Sequence, residues 1–169
     1  GRTVNVIDSL GYKTTTVYDN ASRVTANVNA EGYRTSFVYD AADQTISQID
    51  ARGNRMTYTY DATGSRLSKQ NPLGNITTAV YDGASRQTVR IDAKGVRTSY
   101  TYDGVGRNVG KRYPDSSRVT TTYDAVGNRT LQADFTGRQT MTFNELNRTV
   151  SASFPSGQRL TFAYDSLGR

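Results

Sequence analysis

The residues of this chain that could do chemistry are carboxylates and phenols, and they sit side by side at a fixed interval: Tyr18-Asp19, Tyr39-Asp40, Tyr60-Asp61, Tyr81-Asp82, Tyr102-Asp103, Tyr123-Asp124, a degenerate Phe143-Asn144, and Tyr164-Asp165. The intervals are 21, 21, 21, 21, 21, 20 and 21 residues. Carboxylates can work as acid/base pairs or bind calcium, and the many serines suggest a nucleophile. The chain has no histidine, which removes the usual near-neutral acid/base, the commonest metal ligand and any Ser-His-Asp triad. A Ser-Lys or paired-carboxylate site stays open on composition, but the acids occupy repeated turn positions. Calcium-binding β-rolls need dense G-G-x-G-x-D nonapeptides, and phosphate loops need GxxxxGK[ST]; neither occurs. The expectation is therefore a segment with no catalytic residue, no cofactor and no metal.

A constellation repeated at every period is a structural rule before it is a site. A fixed interval near 20 residues marks a repeat architecture, in which each unit buries its apolar face mainly against its neighbours. The chain opens on Gly1-Arg2 and closes on Gly168-Arg169, the same half-motif. We expect residues 1–169 to be eight tandem repeats without an internal domain boundary, cut as a window from a longer array.

Aligned on the aromatic residue, the units read G-x-[RK]-[apolar/T]-[ST]-x-x-Y-D-x-x-G-R, then about eight variable residues ending in Asp or Asn. The segment before each tyrosine alternates bulky residues with Thr or Ser, as in 55–60 (RMTYTY) and 97–102 (RTSYTY), the period-2 pattern of a half-buried strand. Phe37, Tyr58, Tyr100 and Phe162 share its face with the motif tyrosine. After the tyrosine comes a hairpin turn, clearest in Tyr102-Asp103 through Gly106-Arg107. There the aspartate can accept a hydrogen bond from the backbone two residues on, and the glycine can take a positive φ. The arginine can reach an aspartate or carbonyl of the adjacent turn. Gly168-Arg169 belongs to the same class.

In the second segment the apolar offsets break strict alternation, as a β-bulge would require. Its closing turn carries Pro72, Pro114 and Pro155, where a missing N–H is harmless. The expected fold is all-β: about sixteen strands as successive hairpins in one continuous, coiled antiparallel sheet, with the tyrosines stacked as a ladder on one face.

The run of YDxxGR elements at this spacing, each preceded by G-x-[RK]-x-[ST]-x-x, resembles the YD repeats of Rhs proteins and their relatives: the B and C components of bacterial Tc toxins, wall-associated proteins and animal teneurins. The resemblance covers the whole chain. It implies a shell that spirals around a C-terminal toxin until delivery, with the rest of the same shell and that toxin as partners, in a bacterial protein that is secreted or on the cell surface and cytoplasmic before export. The family's shell ends in an Asp-Pro-containing release site, whereas here Pro114 precedes Asp115. Asp43-Gln44 replaces Gly-Arg, and Arg66 and Arg129 come one residue late.

Two further readings come from the residues. Rows of aromatics suit a surface adhesin that takes a glycan, although the chain has no tryptophan. Exposed sheet edges would also allow self-association into a filament. The net charge of +6 comes mostly from arginines recurring in turns, so no specific nucleic-acid partner is expected. No apolar run is long enough for a transmembrane segment.

Overall fold

The computed structural model describes every residue except Ser166. Its sixteen strands are Thr3–Ile7 (β1), Lys13–Tyr18 (β2), Val24–Val28 (β3), Arg34–Tyr39 (β4), Thr45–Ile49 (β5), Arg55–Tyr60 (β6), Arg66–Gln70 (β7), Ile76–Tyr81 (β8), Gln87–Ile91 (β9), Arg97–Tyr102 (β10), Asn108–Arg112 (β11), Arg118–Tyr123 (β12), Arg129–Asp134 (β13), Gly137–Phe143 (β14), Thr149–Ser153 (β15) and Arg159–Thr161 (β16). They form one antiparallel sheet in sequence order, with β1 and β16 as its outermost strands. The chain divides into two compact units, residues 1–85 with 91–94, and residues 86–90 with 95–169.

Both turns of a repeat use one device. In the first unit, the Asp19 N–H donates to the Arg23 carbonyl at 2.9 Å and the Ser22 N–H to the Asp19 carbonyl at 3.2 Å. The third loop residue, Ser22, lies at φ 63. This is the three-residue hairpin loop, a type I turn closed by a left-handed residue. The second turn repeats it: the Gly11 N–H donates to the Asp8 carbonyl at 3.0 Å, with Gly11 at φ 85. The left-handed position is glycine in most turns, but Asp43, Ser85, Ser116 and Asn147 also hold it. This explains how Asp43-Gln44 replaces Gly-Arg without breaking the hairpin.

The slip in the second segment is a bulge. Val38 pairs with Ser47 and Tyr39 with Thr45, so Ile46 has no opposite number. The same shift leaves over Thr25 and Leu67 in the first unit. In the second unit it leaves over Val109, Thr130 and Val150. The 20-residue interval also has a local cause: Asp134 pairs directly with Gly137, so the β13–β14 connection is a two-residue loop instead of three.

Neither unit builds a conventional core. The buried residues are small or β-branched, namely Ala26 and Ser47 in the first unit and Val89, Thr98, Ser151 and Ala152 in the second. No large side chain is fully buried among the described residues. Strands contact their sequence neighbours, so cohesion is carried by the ladder and by side chains that bridge one repeat to the next.

Candidate functional site

The recurrent element is a clasp built from the tyrosine and aspartate of one repeat and the arginine of the repeat before it. The aspartate first sets its own turn. Asp19 Oδ1 accepts from the N–H groups of Ala21 and Arg23, both at 2.9 Å. Its other oxygen takes the Arg23 Nε–H at 2.7 Å. Asp103 does the same, accepting from the Val105 and Arg107 N–H groups and from Arg107 Nε at 2.6 Å. Asp40, Asp61, Asp124 and Asp165 accept from the same two backbone positions. Asp82 accepts from the Ala84 N–H. These bonds stabilise the ionised form. Asp19 is held below the usual carboxylate range, first by the Arg23 backbone N–H and then by its guanidinium. For Asp103, partial burial pushes the other way, and the Arg107 side chain and backbone more than offset it.

With Nε anchored at home, the arginine's far end reaches forward. Arg23 Nη1 donates to the Asp40 carbonyl at 3.2 Å and to Asp43 Oδ1 at 2.6 Å. Arg86 and Arg107 reach the carbonyls of Asp103 and Asp124 at 3.3 and 3.0 Å. The guanidinium lies over the next tyrosine ring: Arg2 over Tyr18 at 4.5 Å from the centroid, Arg23 over Tyr39 at 5.0 Å, Arg86 over Tyr102 at 5.1 Å, Arg107 over Tyr123 at 4.7 Å and Arg148 over Tyr164 at 4.4 Å. Cation–π attraction therefore adds to the hydrogen bonds. Arg169 pairs with Asp165 at 3.2 Å.

The tyrosine hydroxyl closes the clasp by donating backward to the carbonyl fifteen residues earlier. The pairs are Tyr39 to Val24, Tyr60 to Thr45, Tyr81 to Arg66, Tyr102 to Gln87, Tyr123 to Asn108 and Tyr164 to Thr149, at 2.7–3.1 Å. The expected ladder of stacked tyrosines is thus corrected. Two strands separate successive tyrosines, and ~10 Å is too far for ring contact; the rings of Tyr18, Tyr39, Tyr102, Tyr123 and Tyr164 are covered by the preceding arginine instead. The sequence signal for this was the constant 16-residue step from arginine to tyrosine.

Departures from the motif have visible costs. Gln44 leaves its Oε1 buried and unpartnered, and Ser65 bonds to Thr63 and Asp61 of its own turn. Asn128 substitutes more successfully, donating from Nδ2 to Asp124 Oδ2 at 2.9 Å and to Asn147 Oδ1 at 3.0 Å. Asn144 keeps the turn by accepting from Leu146 and Arg148, but it has no second acceptor oxygen, and Arg148 Nε is left buried without a partner.

Residues 39–76 match the RHS repeat family model. No curated protein matches the chain. Among solved structures, the chain is similar to part of the Photorhabdus luminescens Tc holotoxin pore, at 19% identity and a TM-score of 0.66, covering 92% of this chain and 10% of that one. It is similar to the TcdB2–TccC3 complex, at 19% identity and TM-score 0.66, with 94% and 11% covered. A TcdB2–TccC3–Cdc42 structure matches at 18% identity and TM-score 0.65, with 94% and 10% covered. The chain spans about a tenth of the length of these relatives. One stretch of the chain thus matches the RHS repeat, and the same 21-residue unit recurs in phase on both sides of it.

Proposed function

We propose that this chain is wall rather than machinery: a stretch of an Rhs/Tc-type β-shell that encloses a C-terminal toxin and helps deliver it, with no catalysis of its own. The supporting observation is the similarity of nearly the whole chain to a tenth of the Tc toxin components. The clasp fits this role, since the motif's tyrosine hydroxyls and its arginines such as Arg23 and Arg107 join one hairpin to the next while its aspartates fix the turns. No described helix is long and apolar enough to cross a membrane. In this reading the protein is a bacterial secreted or surface component, and its partners are the remainder of the shell and the enclosed toxin.

The test is limited proteolysis of the complete gene product that contains this segment. A hypervariable domain downstream of the array, digested at least about tenfold more slowly in the intact protein than when expressed alone, is the expected result; the factor corresponds to about 1.4 kcal/mol of protection. An array that leads into a cell-wall anchor, or a downstream domain digested equally fast in both forms, would overturn the proposal.

A further inference from the structure

The clasp uses one series of arginines, and a second series is left over. Arginine opens β4, β6, β10, β12 and β16, lysine opens β2, and Arg138 is the second residue of β14. Each lies five residues before its motif aromatic, so strand alternation puts the series on the opposite face of the sheet. The aligned repeats act as an internal standard for what these cations meet there. In the first unit the residue directly across the ladder is apolar: Ile7 for Lys13, Val28 for Arg34 and Ile49 for Arg55. A basic side chain can lay its stem along such a neighbour and keep its head in water.

The second unit departs from this. There the same register sets Arg118 directly against Arg112. Like charges opposite each other destabilise a ladder. On its other side Arg112 pairs with Ser99, whose hydroxyl accepts from Arg97 Nη1 at 3.2 Å. Arg138 pairs with Ala133, which in turn pairs with Thr120, two residues on from Arg118. Four exposed guanidinium groups thus share one face across β10–β14. None of them makes an ion pair among the described residues. Two acids, Asp115 and Asp134, lie at this end of the unit's hairpins, and both are turned to local use. Asp115 Oδ1 accepts from the Ser117 N–H and hydroxyl at 2.9 and 2.6 Å. Asp134 pairs with Gly137, one step from the Ala133–Arg138 pair and so on the other face, and its Oδ1 accepts from the Thr136 hydroxyl at 2.6 Å. A local rule broken with no compensation inside the chain points to a partner outside it.

The chemistry of that partner follows from what lies between the cations. Guanidinium groups take carboxylates or phosphates in bidentate pairs. The residues among them on this face are Ser99, Gly110, Thr120, Ala133 and Thr140, small and without an aromatic ring. A single-stranded nucleic acid would lack the stacking platform it ordinarily uses. A polypeptide needs none. Alternate strands are ~10 Å apart, and a polyproline II chain returns to the same side every three residues, ~9.3 Å. An extended chain with an acid at every third position therefore meets Arg97, Arg118 and Arg138 in step, with Arg112 reinforcing the middle contact. We propose that this face of the second unit binds an extended acidic polypeptide segment, with Arg97, Arg112, Arg118 and Arg138 as its carboxylate partners. The surface lies on the face opposite the clasp tyrosines and does not depend on the shell reading.

The experiment is fluorescence anisotropy of a labelled peptide of six Glu-Pro-Pro repeats titrated with the 169-residue chain. At low ionic strength it should bind with a dissociation constant of about 100 μM or tighter, weakening roughly tenfold at physiological salt. Arg112→Ser combined with Arg118→Ser should weaken binding about tenfold. Serine is already resident at the position equivalent to Arg112, where Ser153 faces Arg159. Arg112→Ser alone should weaken binding while leaving the melting temperature unchanged or raised, because it relieves a like-charge pair; a structural role would lower it. Arg34→Ser with Arg55→Ser, which removes the same charge from the first unit, should leave binding within about twofold. The proposal is overturned if the peptide does not bind at about 1 mM, if the second-unit double variant binds equally well, or if the first-unit variant loses as much. It is also overturned if Arg112→Ser lowers the melting temperature, or if an oligothymidylate or a DNA duplex of equal charge binds more tightly than the peptide.

Discussion

Replacing Asn144 by Asp should stabilise the last clasp. Asn144 already accepts from two backbone N–H groups, both at 3.0 Å, and the substitution retains that oxygen. What changes is the other terminal group, from a donor to a charged acceptor beside Arg148 Nε, which is now buried and unpartnered. The intact clasps supply the template, with Arg23 and Arg107 Nε 2.7 and 2.6 Å from Asp19 and Asp103. An unsatisfied buried donor costs about 1–3 kcal/mol, and partial exposure of the arginine puts the expected gain at the lower end, about 1–2 kcal/mol. For a chain of this length that corresponds to roughly 2–6 °C in melting temperature. Because a repeat array can open locally, amide exchange across β14–β16 should be measured beside the melt. Slower exchange there, with the gain abolished when Arg148→Met is added, is the expected outcome. A neutral or negative effect, or a gain that survives Arg148→Met, would refute the assignment of the orphaned Nε.

Gln44→Arg should also stabilise, by about 1 kcal/mol, by removing a buried orphan acceptor and covering the Tyr60 ring; unchanged denaturant stability would contradict this. Tyr102→Phe should cost about 0.5–1.5 kcal/mol through loss of the hydroxyl bond to Gln87, read by urea unfolding, with no loss meaning that water replaces it. Asp19, Asp61, Asp103 and Asp124 have lowered pKa values, so the folded state binds fewer protons than the unfolded one as acid is added. Their contribution is present above the ordinary carboxylate value near 3.9 and disappears as pH falls through and below it. Acid titration by circular dichroism should show this, and Asp→Asn variants at these turns should flatten the dependence; an unchanged acid profile in those variants would reject it.

Much of the fold was legible because it is written locally. The Thr and aromatic alternation in 97–102 indicates a strand, Asp103 and Gly106 indicate its turn, and the offset apolar residues of the second segment indicate a bulge, found at Val109. The period then copies each inference along the chain. The clasp was only half legible. That Arg107 would bind within or beside its turn follows from spacing, but its placement over Tyr123 depends on strand pairing that brings residues sixteen apart into contact. The hydroxyl bond from Tyr123 to the Asn108 carbonyl leaves no sequence trace, because every residue has a carbonyl. That the β11–β12 and β13–β14 turns lie side by side was illegible for a related reason. Pro114 and the missing residue before Phe143 were visible as irregularities, but only pairing of β12 with β13 makes them neighbours.

The clasp has a consequence for how such a chain can change length. Each joint is completed by one repeat and the next, with no third participant, so a fault stays where it arises. The one-residue deletion falls between Asn128 and Phe143, in a joint that has lost both its arginine and its tyrosine, and the following joint from Arg148 to Tyr164 forms at 4.4 Å. Duplication or loss of a whole 21-residue unit therefore creates no novel junction, since the new neighbours meet through groups each already carries. Length becomes a variable that recombination can adjust in whole steps, while an error within a step reaches no further than the seams on its two sides.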